Sequence, residues 1–293
     1  MLKTSTQDRL ESFIRYASLH GVKKEGLLNR AGYLKLNSLA AMHSSRDKSL
    51  TKEILKKAGF KVPTGILTSV WNDVQVAIST EKLTFPLVVK PNISSEGNLV
   101  FAGIHNLSEL KICFTKVQKK YKKIVVEEFI AGEEYRFLVL NGHTLAVAKR
   151  SPAYIIGDGK RRIRDLLGTT SFDWEIKRYL KSKDLSLEYV PKRKETVIVR
   201  GNSNRSTGGI VENVTNQVID KFKKIAERAS QELRLGLVGI DMIIKNNKDI
   251  DSPYCILESN ASPGFGIHRK PDIGEPIDPF PLILKAILTM TKK

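Results

Sequence analysis

Two carboxylates and one amide near the ends of neighbouring apolar segments are the residues of this sequence best suited to chemistry. Asp241 lies in the predicted strand Leu237 to Ile244, and Glu258 and Asn260 close the next apolar segment. Because side chains alternate along a strand, Glu258 and Asn260 point to one sheet face, where Asp241 can join them. Three oxygen ligands on one face suit Mg²⁺. A polar cluster beside a turn is the alternative that this motif alone leaves open.

A lysine followed by a loop of small residues is the second candidate site. Lys90 ends the apolar segment that begins at Phe85, and Ser94, Ser95 and Gly97 lie in the polar loop after it. An ammonium group beside flexible backbone N–H groups can bind phosphates. Simple solvation of a surface lysine is the alternative.

Two further segments could contact a nucleotide and its reacting phosphate. The extended stretch Val125 to Ile130 offers backbone groups to an adenine edge and apolar contact from Phe129. A strand end with a charged turn would explain that stretch as well. The loop after Arg200, which includes Asn204, is rich in glycine and hydroxyl residues, so its backbone amides can approach an anion.

The elements that must position these residues combine hairpins with strands flanked by helices. Asn141-Gly142 between two apolar strands predicts a β-hairpin. Asp47 before a stretch with a one-sided apolar face predicts the N-cap of a helix that ends at Gly59. This order favours an α+β fold over an alternating parallel sheet. The sequence lacks the glycine-rich dinucleotide fingerprint and the Walker phosphate loop, so nucleotide binding requires another architecture.

The composition is that of a globular chain with a strong positive charge. The 293 residues are 41% hydrophobic and carry a formal charge of +18, which favours anionic ligands. The apolar runs are far shorter than the ~20 residues that span a bilayer, and no secretory signal is visible, so we expect a cytoplasmic protein. Cys113 and Cys255 are expected to be buried thiols. The basic runs 116–123 and 177–194 are interpreted as solvated helix faces, with contact to a polyanion as the alternative.

Taken in order, these motifs resemble the ATP-grasp superfamily of carboxylate–amine ligases, and within it the ATP-grasp part of bifunctional glutathione synthetases and cyanophycin synthetases. The resemblance runs from about Asp47 to the C-terminus. The phrases that carry it are Asp47-Lys48 with Thr51-Lys52 before Ala58-Gly59, Phe85-Pro-Leu-Val-Val-Lys90-Pro, Val126-Glu-Glu-Phe-Ile-Ala-Gly with Glu134-Tyr-Arg136, Ile156-Gly-Asp-Gly-Lys, Asn204-Arg-Ser-Thr-Gly-Gly and Leu257-Glu-Ser-Asn-Ala-Ser-Pro-Gly-Phe265.

The resemblance implies ATP and two Mg²⁺ ions as cofactors, with Mn²⁺ as a possible substitute, and it implies a role for each motif. The nucleotide-binding residues would be Lys48 and Lys90 on the phosphates, Ser94, Ser95 and Gly97 in the loop above them, Glu127, Glu128, Phe129 and Ile130 at adenine, and Glu134 at ribose. The metal ligands would be Asp241, Glu258 and Asn260, and the catalytic residues Arg200 and Asn204. The candidates for substrate binding are Arg136, Arg150, Arg205, Ser206, Thr207, Gly208 and His268.

The implied fold is an ATP-grasp fold of two α+β lobes that enclose the nucleotide. We expect a helical N-terminal segment over 1–45, a small lobe over 46–126 and a large lobe with the metal and substrate site over 127–293. The sequence departs from the family in two respects. Only about 45 residues precede Asp47, where relatives usually carry a further domain, so a homodimer partner or a separate protein would complete the acceptor site. The loop from Asn92 to Asn98 has one glycine where relatives have more.

The leading hypothesis is an ATP-dependent ligase that forms a peptide or amide bond through an acyl phosphate and releases ADP and phosphate. A glutathione-synthetase-like role and a cyanophycin-like or peptide-tailoring role compete within it. The alternative from another class is a non-catalytic ATP-binding module that docks on an acidic polymer. The absence of a nucleic-acid-binding motif from the sequence argues against nucleic acid as a partner.

Overall fold

The computed structural model describes residues 6–94, 99–168 and 173–290 and forms two compact units, each assembled from separated stretches of chain. Unit 1 comprises Met1–Val62, Ala131–Lys149 and Val211–Lys293, and unit 2 comprises Pro63–Ile130 and Arg150–Ile210. The units therefore differ from the contiguous segments 1–45, 46–126 and 127–293, because the chain leaves each unit and later returns to it. The mixture of helices and antiparallel strands confirms the α+β class.

Helices and strands are interspersed along the whole chain. The elements are α1 (Thr6–Leu19), α2 (Lys24–Leu27), α3 (Leu39–Arg46), α4 (Lys48–Lys57), β1 (Gly65–Thr68), α5 (Trp71–Ser79), β2 (Leu87–Pro91), β3 (Phe101–Ile104), α6 (Leu107–Gln118), β4 (Ile124–Glu128), β5 (Glu133–Leu140), β6 (His143–Ser151), β7 (Tyr154–Ile156), α7 (Ile163–Leu166), α8 (Trp174–Lys181), β8 (Thr196–Ile198), a 3₁₀ turn (Arg205–Thr207), β9 (Ile210–Asn213), α9 (Asp220–Glu232), β10 (Leu237–Ile244), β11 (Tyr254–Asn260), α10 (Gly266–Arg269) and α11 (Phe280–Met290).

Unit 1 is built on a five-stranded sheet in the order β11-β10-β5-β6-β9, with apolar packing on both faces. Alternate residues of β5 enter different cores. Phe137 and Val139 pack in a cluster with residues of α3, α4 and α9, whereas Leu138 and Leu140 pack with residues of α1 and α11. The turn between β5 and β6 has positive φ at both Asn141 (49°) and Gly142 (78°), which confirms the predicted hairpin.

Unit 2 contains a four-stranded sheet in the order β1-β4-β2-β3 and a separate two-stranded sheet of β7 and β8. Residues of α5 and α6 pack on the four-stranded sheet through a core that includes Val74, Leu110 and Phe114. A smaller core under the two-stranded sheet joins Ile163 of α7 to Leu180 of α8. The stretch around α8 is therefore a folded part of unit 2 and not an open loop.

Several expectations about side-chain exposure are tested by this structure. Cys113 and Cys255 are both buried free thiols, as predicted, and burial raises the pKa of Cys113 to about 12. In the basic run 177–194, Lys177 is exposed, but Arg178 is 7% exposed, so the solvated-face interpretation is wrong for that residue. Among the described residues, no helix is long and apolar enough to cross a membrane.

Candidate active site

The predicted metal ligands lie on neighbouring strands of the unit 1 sheet. Asp241 in β10 stands opposite Arg136 of β5 on one side and opposite Glu258 of β11 on the other. Asn260 stands opposite Gly239, two residues from Asp241. Since residues in register share a face and alternate residues return to it, all five positions belong to one sheet face. The structure thus brings Asp241, Glu258 and Asn260 together as the alternation predicted.

Arg136 and Asp241 form a buried two-bond ion pair. Nη2 of Arg136 donates to Oδ2 of Asp241 at 2.6 Å, and its Nε donates to Oδ1. Arg136 is 6% exposed and Asp241 1% exposed. The pair depends on Gly239, because a Cβ at that position would lie 2.8 Å from Cδ of Arg136. Arg136, a predicted substrate ligand, therefore holds the carboxylate of a predicted metal ligand.

Lys48 reaches the same strands from the first residue of α4. Its Nζ lies 3.8 Å from Oε2 of Glu258, whose side chain is 34% exposed. Asp47 caps the helix by accepting the N–H of Leu50 at 2.9 Å, as the sequence predicted. Capping fixes where α4 begins, and with it the position of Lys48.

Asn37 is a structural residue near this site that sequence reasoning missed. Its Nδ2 donates to the carbonyls of Leu237 at 2.7 Å and Ala261 at 2.9 Å, and its Oδ1 accepts the N–H of Leu237 at 3.0 Å. Leu237 begins β10 and Ala261 directly follows β11. One buried amide thus fastens the N-terminal stretch to the two strands that carry the predicted metal ligands. An isolated asparagine gives no local signal of such long-range contacts.

The other predicted residues of unit 1 are Glu134 in β5 and His268 in α10. Glu134 is half-buried in β5 opposite Ile243. Its neighbour Glu133 pairs with Lys149, and hydrogen bonds from Lys149 and Tyr135 outweigh the effect of burial, so the pKa of Glu133 is lowered. His268 in α10 is 3% exposed and is therefore a buried side chain.

Unit 2 contains a second buried ion pair, between Lys90 of β2 and Glu127 of β4. Lys90 Nζ lies 2.7 Å from Glu127 Oε1, and the two side chains are 7% and 2% exposed. The solvated-lysine alternative is therefore wrong. Both lysines proposed for phosphate binding, Lys48 and Lys90, contact a glutamate carboxylate in this structure.

The segment predicted to hold adenine follows β4 in unit 2. The N–H of Glu128 donates to the carbonyl of Thr64, and that of Phe129 to Pro86, each at 2.9 Å. Phe129 is 37% exposed and Ile130 is half-buried. The backbone N–H groups of Glu128 and Phe129 are thus engaged within unit 2, while the residue Phe129 is partly exposed to solvent.

The predicted catalytic loop after β8 is ordered by its own hydrogen bonds. Gly209 N–H donates to the Asn204 carbonyl at 3.0 Å, Thr207 Oγ1 donates to Asn202 Oδ1 at 2.6 Å, and Gly208 has a φ of 94°. Arg205 and Ser206 in this loop are exposed. The remaining predicted residues of unit 2 are Arg150, which is buried, Ser94 and Arg200, which are half-buried, and Ser95 and Gly97, which lie outside the described residues.

The order of these motifs along the fold matches a known family model. The model described as ATP-grasp domain matches residues 45–263. This chain belongs to the ATP-grasp family. The matched range contains the predicted metal, phosphate and catalytic residues, from Lys48 to Asn260, and leaves His268 outside.

Curated ATP-grasp relatives agree with this membership. Cyanophycin synthetase of Crocosphaera subtropica is 30% identical over 81% of this chain and 30% of its own length. The glutathione biosynthesis bifunctional protein GshAB of Listeria innocua is 29% identical over 94% of this chain and 38% of its own length. The chain therefore spans less than two fifths of either of these ATP-grasp relatives.

A solved structure supports the ATP-grasp fold. A crystal structure of a bifunctional glutathione synthetase from Pasteurella multocida matches 92% of this chain and 38% of that protein, with a TM-score of 0.57 and 24% identity. At this identity the match establishes the fold alone. Within the described residues, the ATP-grasp site of unit 1 holds no cluster of three or more acidic, histidine or cysteine side chains that could bind a metal by themselves. The predicted set has two carboxylates and an amide.

Proposed function

We propose that this chain is an ATP- and Mg²⁺-dependent carboxylate–amine ligase that activates a carboxylate as an acyl phosphate, joins it to an amine and releases ADP and phosphate. The observation that carries the proposal is the row of Arg136, Asp241 and Glu258 across three strands, with Asn260 on the same face, in a chain of the ATP-grasp family. Phosphoryl transfer needs cations arranged around spreading negative charge more than it needs a covalent nucleophile.

The donor set suits magnesium. Mg²⁺ prefers oxygen ligands and binds through one or two carboxylates together with nucleotide phosphates. Asp241 and Glu258 would supply the carboxylates and Asn260 an amide oxygen. Together these three side chains would hold two Mg²⁺ ions. When bound, the metal offsets the charge of the phosphate oxygens. The ion pair with Arg136 fixes the orientation of the Asp241 carboxylate.

The cationic side chains would bind the phosphates and the reacting groups. Lys48 and Lys90 would donate to phosphate oxygens, and each would exchange its glutamate for the nucleotide. Arg200 and Asn204 would donate to the transferring phosphoryl group and to the oxyanion that forms when the amine attacks. The remaining proposed contacts are Ser94, Ser95, Gly97, Glu127 to Ile130 and Glu134 for the nucleotide, and Arg136, Arg150, Arg205, Ser206, Thr207, Gly208 and His268 for the carboxylate substrate.

The names of the relatives suggest an amino acid or short peptide as substrate. A glutathione-synthetase-like reaction would join a dipeptide carboxylate to glycine, and a cyanophycin-like reaction would extend a peptide. A homodimer partner or a separate protein is proposed to complete the acceptor site, and the reaction is proposed to take place in the cytoplasm.

Phosphate release tests the proposal directly. The protein is incubated with Mg-ATP and either an amino-acid pool or γ-glutamylcysteine plus glycine, and phosphate and product masses are measured. Glu258→Gln removes the negative charge of one proposed metal ligand and is expected to lower the rate of phosphate release by about 100-fold or more. Glu232→Gln on the exposed end of α9 is the matched control and is expected to keep the wild-type rate.

Nucleotide binding separates the ligase from the alternative function. If the wild-type protein binds Mg-ATP in a calorimetric titration but releases no phosphate with any pool, the ligase proposal is contradicted. The ATP-binding module that docks on an acidic polymer then takes its place. Its own test is charge reversal of the exposed Lys119 and Lys120, with binding to poly-glutamate as the readout.

A further inference from the structure

The side chain of Arg200 is held by a helix that the sequence did not connect with it. Arg200 lies two residues after β8 ends, and its Nη2 donates to Oδ2 of Asp173, the residue that caps α8. The Arg200 side chain is 15% exposed. Within the described residues, Asp173 is its hydrogen-bonding partner, so one of its five N–H groups is used and the others remain to donate.

Asp173 has two tasks, one for each carboxylate oxygen. Oδ1 accepts the N–H of Ile176 at 3.0 Å and caps α8. Oδ2 accepts from Arg200. Capping needs a single side-chain oxygen, and asparagine caps as well as aspartate. The second oxygen of Asp173 therefore serves Arg200, while its negative charge is favourable both beside the guanidinium and at the N-terminus of the helix.

The helix itself is anchored within unit 2 by Arg178. Its guanidinium donates to both oxygens of Glu175 at 2.7 Å, to the Ala102 carbonyl of β3 at 2.9 Å and to Glu109 of α6. The Arg178 side chain is 4% exposed. Burial alone would lower the pKa of Arg178, but the bonds to Glu175 and Glu109 outweigh it and raise that pKa. A buried arginine that donates four hydrogen bonds gives α8 a defined position on β3 and α6.

The backbone on both sides of Arg200 is fixed as well. The N–H of Val199 donates to the Ala153 carbonyl at 2.9 Å. A Cβ at Gly201 would lie 3.0 Å from Cε2 of Tyr179 and 3.1 Å from the Ala102 carbonyl oxygen, so glycine is what allows the close approach. Tyr179 belongs to α8. The side chain of Arg200 therefore contacts Asp173 at the start of this helix, and the backbone of Gly201 lies close to Tyr179 within it.

We infer that α8 is the positioning element for Arg200. Asp173 fixes the guanidinium through Nη2 and leaves its other N–H groups to donate to an anionic oxygen, while Arg178 holds the helix that carries Asp173. The inference rests on the proposed ligase function and deepens it, because it adds Asp173 as a positioning residue for a proposed catalytic one. Preorganised donors of this kind act without reorganisation as negative charge develops.

Asp173→Asn is the variant that separates positioning from capping. It keeps the cap but replaces the acceptor facing Arg200 with an amide. We expect kcat for phosphate release to fall about 10- to 100-fold, as misplacement of a catalytic group does, while KM for ATP and the melting temperature stay near wild type. Asp184→Asn, an exposed residue shortly after α8 with the same change of charge, is the control and is expected to match the wild type. An unchanged kcat in Asp173→Asn overturns the inference.

A double-mutant cycle tests whether Asp173 acts through Arg200. Arg200→Lys keeps a positive charge but loses the planar fork. If Asp173 acts through Arg200, then Asp173→Asn lowers the residual rate of Arg200→Lys far less than it lowers the wild-type rate. If Asp173→Asn lowers the rate by the same factor in the wild type and in Arg200→Lys, its effect is independent of Arg200, and the inference is overturned.

Chemical labelling provides a readout that does not depend on turnover. Phenylglyoxal modifies arginine, and peptide mass spectrometry gives the rate at Arg200 by itself. We expect that rate to rise about threefold or more in Asp173→Asn and to stay unchanged in Asp184→Asn. If wild-type protein releases no phosphate, the ligase proposal fails, and the labelling result still decides whether Asp173 holds Arg200. Equal labelling rates in the wild type and both variants overturn the inference even where ligation is observed.

Discussion

The carboxylate of Asp241 shows how single residues build this site. Its two oxygens accept hydrogen bonds from Arg136. Gly239 lies two residues before Asp241 in β10, and a larger residue there would leave no room for the Arg136 side chain. A buried ion pair of this type is costly to desolvate and is weak evidence for stability. Orientation of the Asp241 carboxylate is the more direct explanation for the ion pair, and Gly239 contributes to it by leaving room for the Arg136 side chain.

Gly239→Ala should damage the site with a modest loss of stability. The added Cβ would lie 2.8 Å from Arg136 Cδ and 3.0 Å from its Nη1, and the guanidinium cannot move aside without leaving Asp241. We expect a destabilisation of about 1–3 kcal/mol and a fall in phosphate release that exceeds the loss of folded protein. Urea unfolding and the release assay measure the two effects. Gly26→Ala, where the nearest atom is 3.6 Å away, is the control and should leave both near wild type.

Lys90→Met should destabilise unit 2 because it leaves Glu127 buried without its lysine. Removing one partner of a buried ion pair typically costs about 3–5 kcal/mol. The double variant Lys90→Met/Glu127→Leu removes both charges and is expected to recover most of that loss. Urea unfolding curves of the three proteins measure the difference. A single variant as stable as wild type would show that the pair at 2.7 Å contributes nothing to folding.

At the scale of elements, local sequence signals predicted caps, turns and strands correctly, whereas features that depend on distant residues were not predicted. The Asp47 cap, the Asn141-Gly142 turn and the strand β10 were visible because each depends on residues within a few positions. The burial of Arg178 was not, since its partner Glu109 lies 69 residues away and a cationic run favours exposure by itself. Asp173 before an amphipathic stretch is a cap signal that could have located α8, although not its bond to Arg200.

Asp47 offers a test of how a helix start positions a side chain. Asp47→Ala removes the cap of α4, which should cost about 0.5–2 kcal/mol, and should weaken Mg-ATP binding because Lys48 is the first residue of the helix. Asp47→Asn retains a capping oxygen and should differ from wild type by a few tenths of a kcal/mol at most. Thermal unfolding and calorimetric titration give both quantities. Equal ATP affinities in the two variants would contradict the role of the cap.

For the whole molecule, the sequence predicted the α+β class, the family and the face shared by Asp241, Glu258 and Asn260. The contiguous segments it suggested differ from the compact units, because unit 1 is assembled from three separate stretches and unit 2 from two. Which distant strands pair is decided by side-chain packing over the entire chain, as in the neighbours β5 and β10. No local pattern encodes that choice, so the order of strands in the unit 1 sheet could not be predicted from the sequence.

The two cysteines provide one reporter for each unit. Cys113 is in unit 2 and Cys255 in unit 1, and both are buried. We expect iodoacetamide at pH 8 to label neither thiol in the native protein and both in urea.

Raising the pH adds a second effect at Cys113. Burial raises its pKa from about 9 to about 12, so between these values the unfolded thiol ionises while the folded one does not. The contribution of this thiol to stability is therefore complete below pH 9 and is lost as the pH rises towards 12. Cys113→Ala should show a smaller alkaline loss of stability than wild type.

Pulsed labelling of the Lys90→Met variant should show a lower urea midpoint at Cys113 than at Cys255, because the missing ion pair belongs to unit 2. Equal shifts of both midpoints would show instead that the units unfold as one cooperative structure.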